Sequence, residues 1–381
     1  MVVRRSVEMI LGLGILLGVL AGCGGGGGDI SVDVTEVSTG APMENLLKGM
    51  SVAVDGKGNR CFISGIMTDT VGVVDLESTT LLDVFSIEEN IPATKKMVYD
   101  ADHGKLWLAS GKGDGLWIVD PDSQETVLSM DISGDTAANA NSYPTKSIAL
   151  DPKRERLFMA RSDGVVGGRV VIYDSSLKKM GEILEGTSAH TLQWDSVRDA
   201  LIVLTAPKNA QGEILVVWKG DDSQLDSYPA PYEGGAAPSQ IAVEPGGSFY
   251  VGGKNLWKVD ENGAVEWKSV LPSTASAMEV SAEEVGVLYQ HGLLSEEDRY
   301  VSRFETYASD TGALLVRRKV RFEASRMDVN RTTGEFVVGN GGDSSITILP
   351  VGAEAGKTVR VGSSAEDVLL TSDGERLLIL N

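Results

Sequence analysis

From residue 51 onward the apolar and polar positions repeat one pattern: a short alternating strand closing on a polar residue, a tight turn, then a second apolar strand. SVAVDGKGNRCFIS, MVYDADHGKLWLAS, SIALDPKRERLFMA and TLQWDSVRDALIVL open the series. QIAVEPGGSFYVGG, MEVSAEEVGVLYQ, RMDVNRTTGEFVVGN and DVLLTSDGERLLIL complete it. The central apolar residues of the first strands, Val52, Met97, Ile148, Leu192, Ile241, Met278, Met327 and Val368, fall 37 to 51 residues apart. Each unit also carries two further strand-like runs, as at 115–119 and 126–132 in the second repeat. Four strands at that period predict a radial array of small sheets, an all-β propeller of four-stranded blades.

Seven repeats are complete, and the eighth, 367–380, supplies only its first two strands. An unfinished blade leaves an open edge, and 30–37 (ISVDVTEV) is the one strand-like segment left over. Eight blades closed by this N-terminal strand are therefore expected. Seven is the alternative if the sixth repeat, with Glu283 and Glu284 in its turn, is irregular.

Composition narrows the partners. With 34 basic against 54 acidic side chains the net charge is -20, which repels nucleic acid and anionic lipid surfaces and favours cationic partners or plain solubility. Arg4 and Arg5 precede the apolar run 9–20, too short and too interrupted by Gly to span a bilayer but suited to a signal-peptide core. The run ends in Leu20-Ala21-Gly22-Cys23, which resembles the bacterial lipobox; that resemblance implies cleavage before Cys23 and a diacylglycerol on its sulfur. Gly24 after the Cys implies sorting to the outer membrane. Three parts follow: a lipoprotein signal peptide at 1–23, a flexible Gly-rich tether at 24–29 and one propeller domain at 30–381. The chain has two Cys, so with Cys23 acylated Cys61 has no disulfide partner and reads as a small buried hydrophobe.

Connection lengths point to one rim. The turns within hairpins are short and rich in Gly and Asp, whereas nearly all the long connections, among them 133–145, 162–168, 207–212, 228–238 and 291–300, emerge on the opposite side. Insertions gathered on one face of a repeat array mark a binding face. On the innermost strands, the residues flanking each central apolar position point the other way, toward the axis. Lys96, Gln193, Gln240, Glu279, Arg326, Asp328 and Asp367 would thus edge a central channel, with Lys146 and His190 at its mouth. Such a ring suits a small-molecule site; it also describes a water-filled, charge-paired channel without a ligand. Glu279, Asp328 and Asp367 are the carboxylates available to a divalent metal. The three His do not share a level and no Cys or His pair has zinc-ligand spacing. No Ser elbow between strand and helix is present. The Asp recurring at 55, 100, 151 and 195 reads as turn chemistry.

Three pairs of segments, 148–174 (IALDPKRERLFMA and GRVVIYD), 97–122 (MVYDADHGKLWLAS and GLWIVDPD) and 327–349 (MDVNRTTGEFVVGN and SSITIL), resemble the repeat of YVTN-type, YncE-like β-propellers, with VVGN at 337–340 a degenerate form of the naming motif. That superfamily includes lactonase-like enzymes, so the resemblance implies a propeller and admits metal-dependent hydrolysis of a cyclic ester at the channel mouth. Locally, VDENGAVEW (259–267) is similar to the tryptophan-docking repeat of quinoprotein propellers and of an outer-membrane assembly lipoprotein, and SDTGALLV (309–316) is a version lacking the Trp; this would imply a redox or assembly role. The function expected from the whole sequence is a noncatalytic binding scaffold. It would be a monomer, lipid-anchored at the outer membrane on its periplasmic or surface side, holding an envelope protein on its long-loop face and no cofactor.

Overall fold

A computed structural model describes residues 33–34, 51–64, 70–87, 95–111, 115–132, 145–162, 168–207, 214–219, 225–231, 238–244, 247–289, 302–320, 324–340, 345–352, 356–360, 367–370 and 377–380. Seven sheets of four consecutive antiparallel strands follow one another along the chain, at 51–86, 95–131, 145–183, 187–229, 240–270, 275–320 and 324–360. Within each, strand order in space is strand order in sequence, innermost to outermost. The innermost strand of every sheet packs against that of the next, and Ala324–Val329 of the seventh packs against Ser51–Asp55 of the first. The result is a closed seven-bladed propeller.

Strand alternation builds the core. In the second strand of the first sheet, Cys61 and Ile63 face the seventh sheet while Phe62 faces the second. In the next sheet Leu106 and Leu108 point back to the first while Trp107 and Ala109 point on to the third. Strands apolar on both faces must be covered on both. Among the described residues, seven buried clusters occupy the seven junctions between neighbouring sheets. Cys61 is fully buried at the first-to-seventh junction, where desolvation pushes its thiol well up, consistent with a packing residue. Cys23 lies outside the described residues.

The hairpin turns follow from the recurring acid. Asp55 accepts the Gly58 N–H at 2.9 Å, Asp100 the His103 N–H at 3.2 Å, Asp151 the Arg154 N–H at 3.2 Å and Asp195 the Arg198 N–H at 3.1 Å. All four carboxylates are buried, and the second oxygen of each meets a basic side chain: Arg60, His103, Arg156 and Arg198 in turn. A buried charge is tolerable only when paired in this way.

The expected eighth blade does not form. Asp367–Leu370 and Leu377–Leu380 pair with each other as a two-stranded sheet and join no other. A lone hairpin cannot cover the broad faces of both neighbours, whereas the seventh sheet already meets the first over a shared core of Val52, Ile63, Val337 and Ile348. The seventh sheet takes four strands from 324–360 and needs no N-terminal strand to complete it. Among the described residues, Asp33–Val34 pairs parallel to Lys357–Thr358 at its outer edge. The sixth repeat, expected to be the weakest, forms a full four-stranded sheet, its turn held by Ser281 and the buried Glu284.

Ring closure also uses one polar stitch. Asp328 Oδ2 accepts the Val54 N–H at 2.7 Å across the seventh-to-first junction, and Gln193 Oε1 accepts the Val243 N–H at 2.7 Å across the fourth-to-fifth. Both acceptors sit one residue past the central apolar position and both donors two past it, on the next sheet. Asp328→Ala should cost about 1–3 kcal/mol by stranding a largely enclosed donor and should speed hydrogen exchange at Val54, read by denaturant melts and exchange NMR. Unchanged protection of Val54 would show that the junction closes on apolar packing alone.

Candidate functional site

The seven inner strands cannot meet on the axis, and between them runs a channel of about 620 Å3 lined from the starts of the strands to their hairpin turns. Its wall is layered. The residues just before the central apolar positions form one level: Ser51, Lys96, Ser147, Thr191, Gln240, Ala277 and Arg326. Two residues further along each strand, Val98, Ala149, Gln193, Glu279 and Asp328 form the next. Lys57, Asp102 and Arg331 edge the far rim, where the hairpin turns lie.

At the mouth, on the rim of the long connections, four inner strands share one irregularity. Register shifts by a residue between Thr145 and Ser147, Ala189 and Thr191, Ala275 and Ala277, and Ala324 and Arg326. The residues skipped are Lys146, His190, Ser276 and Ser325. A β-bulge turns one side chain out of the pleat, and Lys146, His190 and Ser276 line the mouth. The residue before each bulge is small and buried: Thr145, Ala189, Ala275 and Ala324.

Of the residues singled out from the sequence, the channel brings together Lys96, Lys146, His190, Gln193, Gln240, Glu279, Arg326 and Asp328. Asp367 opens the terminal hairpin, and the placement of its side chain lies outside the described residues. Sequence reasoning missed Ser276; the recurrent small residue three places before the central apolar position is the signal that would have flagged it. The long connections 133–144, 163–167, 208–213, 232–237 and 290–301, expected to bear a partner, lie outside the described residues.

The channel charges divide by level. Glu279 and Asp328 are both raised above the usual carboxylate range, chiefly by desolvation, and for Glu279 also by the nearby Asp328. Their oxygens are engaged: Asp328 accepts from Val54 and from its neighbour Val329 at 2.8 Å, while Glu279 accepts from Gln193 Nε2 at 3.3 Å and faces Arg331 at 3.9 Å. A metal would have to displace these donors, and among the described residues no three His, Cys, Asp or Glu side chains converge as ligands. Above them, Lys96 is pushed down to about 7, first by desolvation and then by repulsion from Arg326 and Lys146. Burial lowers Arg326 as well.

The tryptophan-docking segment forms a joint between blades. Trp267, on the outer strand of the fifth sheet, donates its indole N–H to Ser309 O at 3.2 Å and covers Gly312, whose φ of +69° and lack of a side chain admit the ring. Tyr228 of the fourth sheet covers Gly263, at φ +83°, in the same way. The contact joins neighbouring blades.

Lys96→Met is expected to raise the melting temperature below pH 7, where Lys96 is charged in folded and unfolded chains alike and the cost of its enclosure is felt in full. Between about 7 and the ordinary lysine value of 10.5 only the unfolded chain holds the proton. The difference from wild type should therefore shrink as pH rises, by up to about 1.4 kcal/mol per pH unit. Parallel stability curves from pH 6 to 9.5 would refute the shift. No family model matches the chain and no curated protein matches it in sequence, so its geometry is the guide to what it does.

Proposed function

We propose that this chain is a noncatalytic binding propeller that takes a small solute into its axial channel from the long-connection rim. The observation that carries this reading is the set of four matched bulges, which break regular pairing at one level of four inner strands and in three of them bring Lys146, His190 and Ser276 to the mouth. The channel volume, about 620 Å3, falls within the range of small-ligand sites. The reading draws on two resemblances: the repeat pattern to that of YVTN-type propellers, and Leu20-Ala21-Gly22-Cys23 to the lipobox of bacterial outer-membrane lipoproteins. An envelope protein docked on the long-connection rim would sit over the mouth and read whether the channel is filled. Hydrolysis of a cyclic ester on a metal is the weaker reading, because Asp328 and Glu279 already serve backbone and side-chain donors.

Protein purified from solubilised envelopes should carry a small molecule that is released on denaturation and detected by mass spectrometry. Ser276→Trp, which fills the mouth from a bulge position, should abolish the adduct while leaving the fold intact by circular dichroism. Turnover of a lactone, lost in chelator, would overturn this reading in favour of the hydrolase. Labelled palmitate should be incorporated into wild type and not into Cys23→Ser; equal incorporation would remove the lipoprotein assignment.

A further inference from the structure

The reading that the channel is a binding site leaves its ligand class open, and the charge arrangement narrows it. Lys96 projects from the inner strand of the second sheet, Lys146 from the bulge of the third and Arg326 from the seventh, all at or just above one level. The intervening first sheet contributes only Ser51 there. Lys96 and Lys146 make no hydrogen bond or ion pair with any described residue, and the charges acting on Lys96 are the two cations that repel it. The carboxylates that could neutralise the group lie one level down and are engaged by Val54, Val329, Gln193 and Arg331. In the hairpin turns of this protein, by contrast, Arg60, Arg156 and Arg198 each hold a buried Asp. Holding Lys96 and Lys146 close to each other with no described counter-charge on either costs free energy, and in a chain of net charge -20 there is no shortage of carboxylate to supply one. A vacancy of one sign, lined also by the Gln240 amide and the Ser51 hydroxyl, is complementary to a small anion.

We propose that the channel mouth binds a small anion through its carboxylate or phosphate group, with Lys96 and Lys146 as charge partners and Arg326 completing the cradle. Carboxylate and phosphate share this chemistry, and only their relative affinity separates them. Because an anion favours the charged lysine, binding draws a proton onto Lys96 and strengthens as pH falls through about 7. The other titratable groups facing the channel act in the same direction. Protonation of His190 adds positive charge, while ionisation of Glu279 and Asp328 at higher pH adds negative charge beneath the site.

The test uses the full chain, titrated by calorimetry with inorganic phosphate, citrate and succinate at pH 6 and pH 8.5, ionic strength held constant with sodium chloride. Glucose and putrescine serve as neutral and cationic probes. At least one anion should bind with a stoichiometry of one, about tenfold tighter at pH 6, since one pKa unit of charge interaction is a factor of ten. Lys96→Met and Lys146→Met should each weaken it by about tenfold or more on the same grounds, and Lys146 is exposed enough that its loss leaves the fold unchanged. Saturable binding of phosphate over the carboxylates assigns the phosphate class, and the reverse order assigns the organic acids. No saturable anion binding at either pH, or affinity unchanged in both variants, overturns the inference. If in that case glucose or putrescine binds wild type and not Ser276→Trp, the channel remains a binding site and only the anion assignment falls; if no probe binds and native protein carries no adduct, the binding reading falls with it.

Discussion

A four-stranded sheet with apolar side chains on both faces cannot exist alone in water, and every other property of this protein descends from the way that constraint is met. Each sheet is covered by its two neighbours, so the seven junctions are equivalent and the ring needs no special latch. The junction of first and seventh sheets joins the two ends of the domain, yet it is built like the others, from Ile63 and Val74 against Val337 and Ile346. Its stitch, Asp328 to Val54, repeats that of Gln193 to Val243.

Closing a ring of sheets leaves space along its axis, and the inner strands must line that space with whatever points inward. Two levels of polar residues result, and they carry different duties. The deeper carboxylates and Gln193 bind the ring to itself. Lys96 and Lys146 pair with no described residue, and the bulges that bring Lys146 and His190 to the mouth would be a needless loss of pairing in a channel whose sole purpose was closure. The division of labour by depth is what separates a structural channel from a site.

Much of this was legible in the residues. The alternation of apolar and polar positions gave the four-stranded unit, the recurring Asp gave its turns, and the flanking positions of the inner strands gave the channel wall. The blade number was misread because repeats were counted as strands of a pattern, and Asp367–Leu370 with Leu377–Leu380 match the pattern fully. Whether such a hairpin enters the ring depends on the fit between Val52 and Val337, far apart in sequence, which no local pattern encodes. Bulges were invisible for a related reason: they are mismatches between two strands, and only the run of small residues at 145, 189, 275 and 324 leaves a trace. The docking of Trp267 was seen once because Trp is conspicuous, whereas Tyr228 over Gly263 does the same work with a commoner residue.

Truncation after residue 360 tests the seven-sheet ring most directly. If the ring closes between first and seventh sheets, the shortened chain should melt in a single cooperative transition within a few degrees of the intact protein, because the seven sheets are complete by residue 360. A chain that loses cooperativity, aggregates or melts far lower would mean that the last hairpin is part of the ring, and that the channel is lined by a different set of strands.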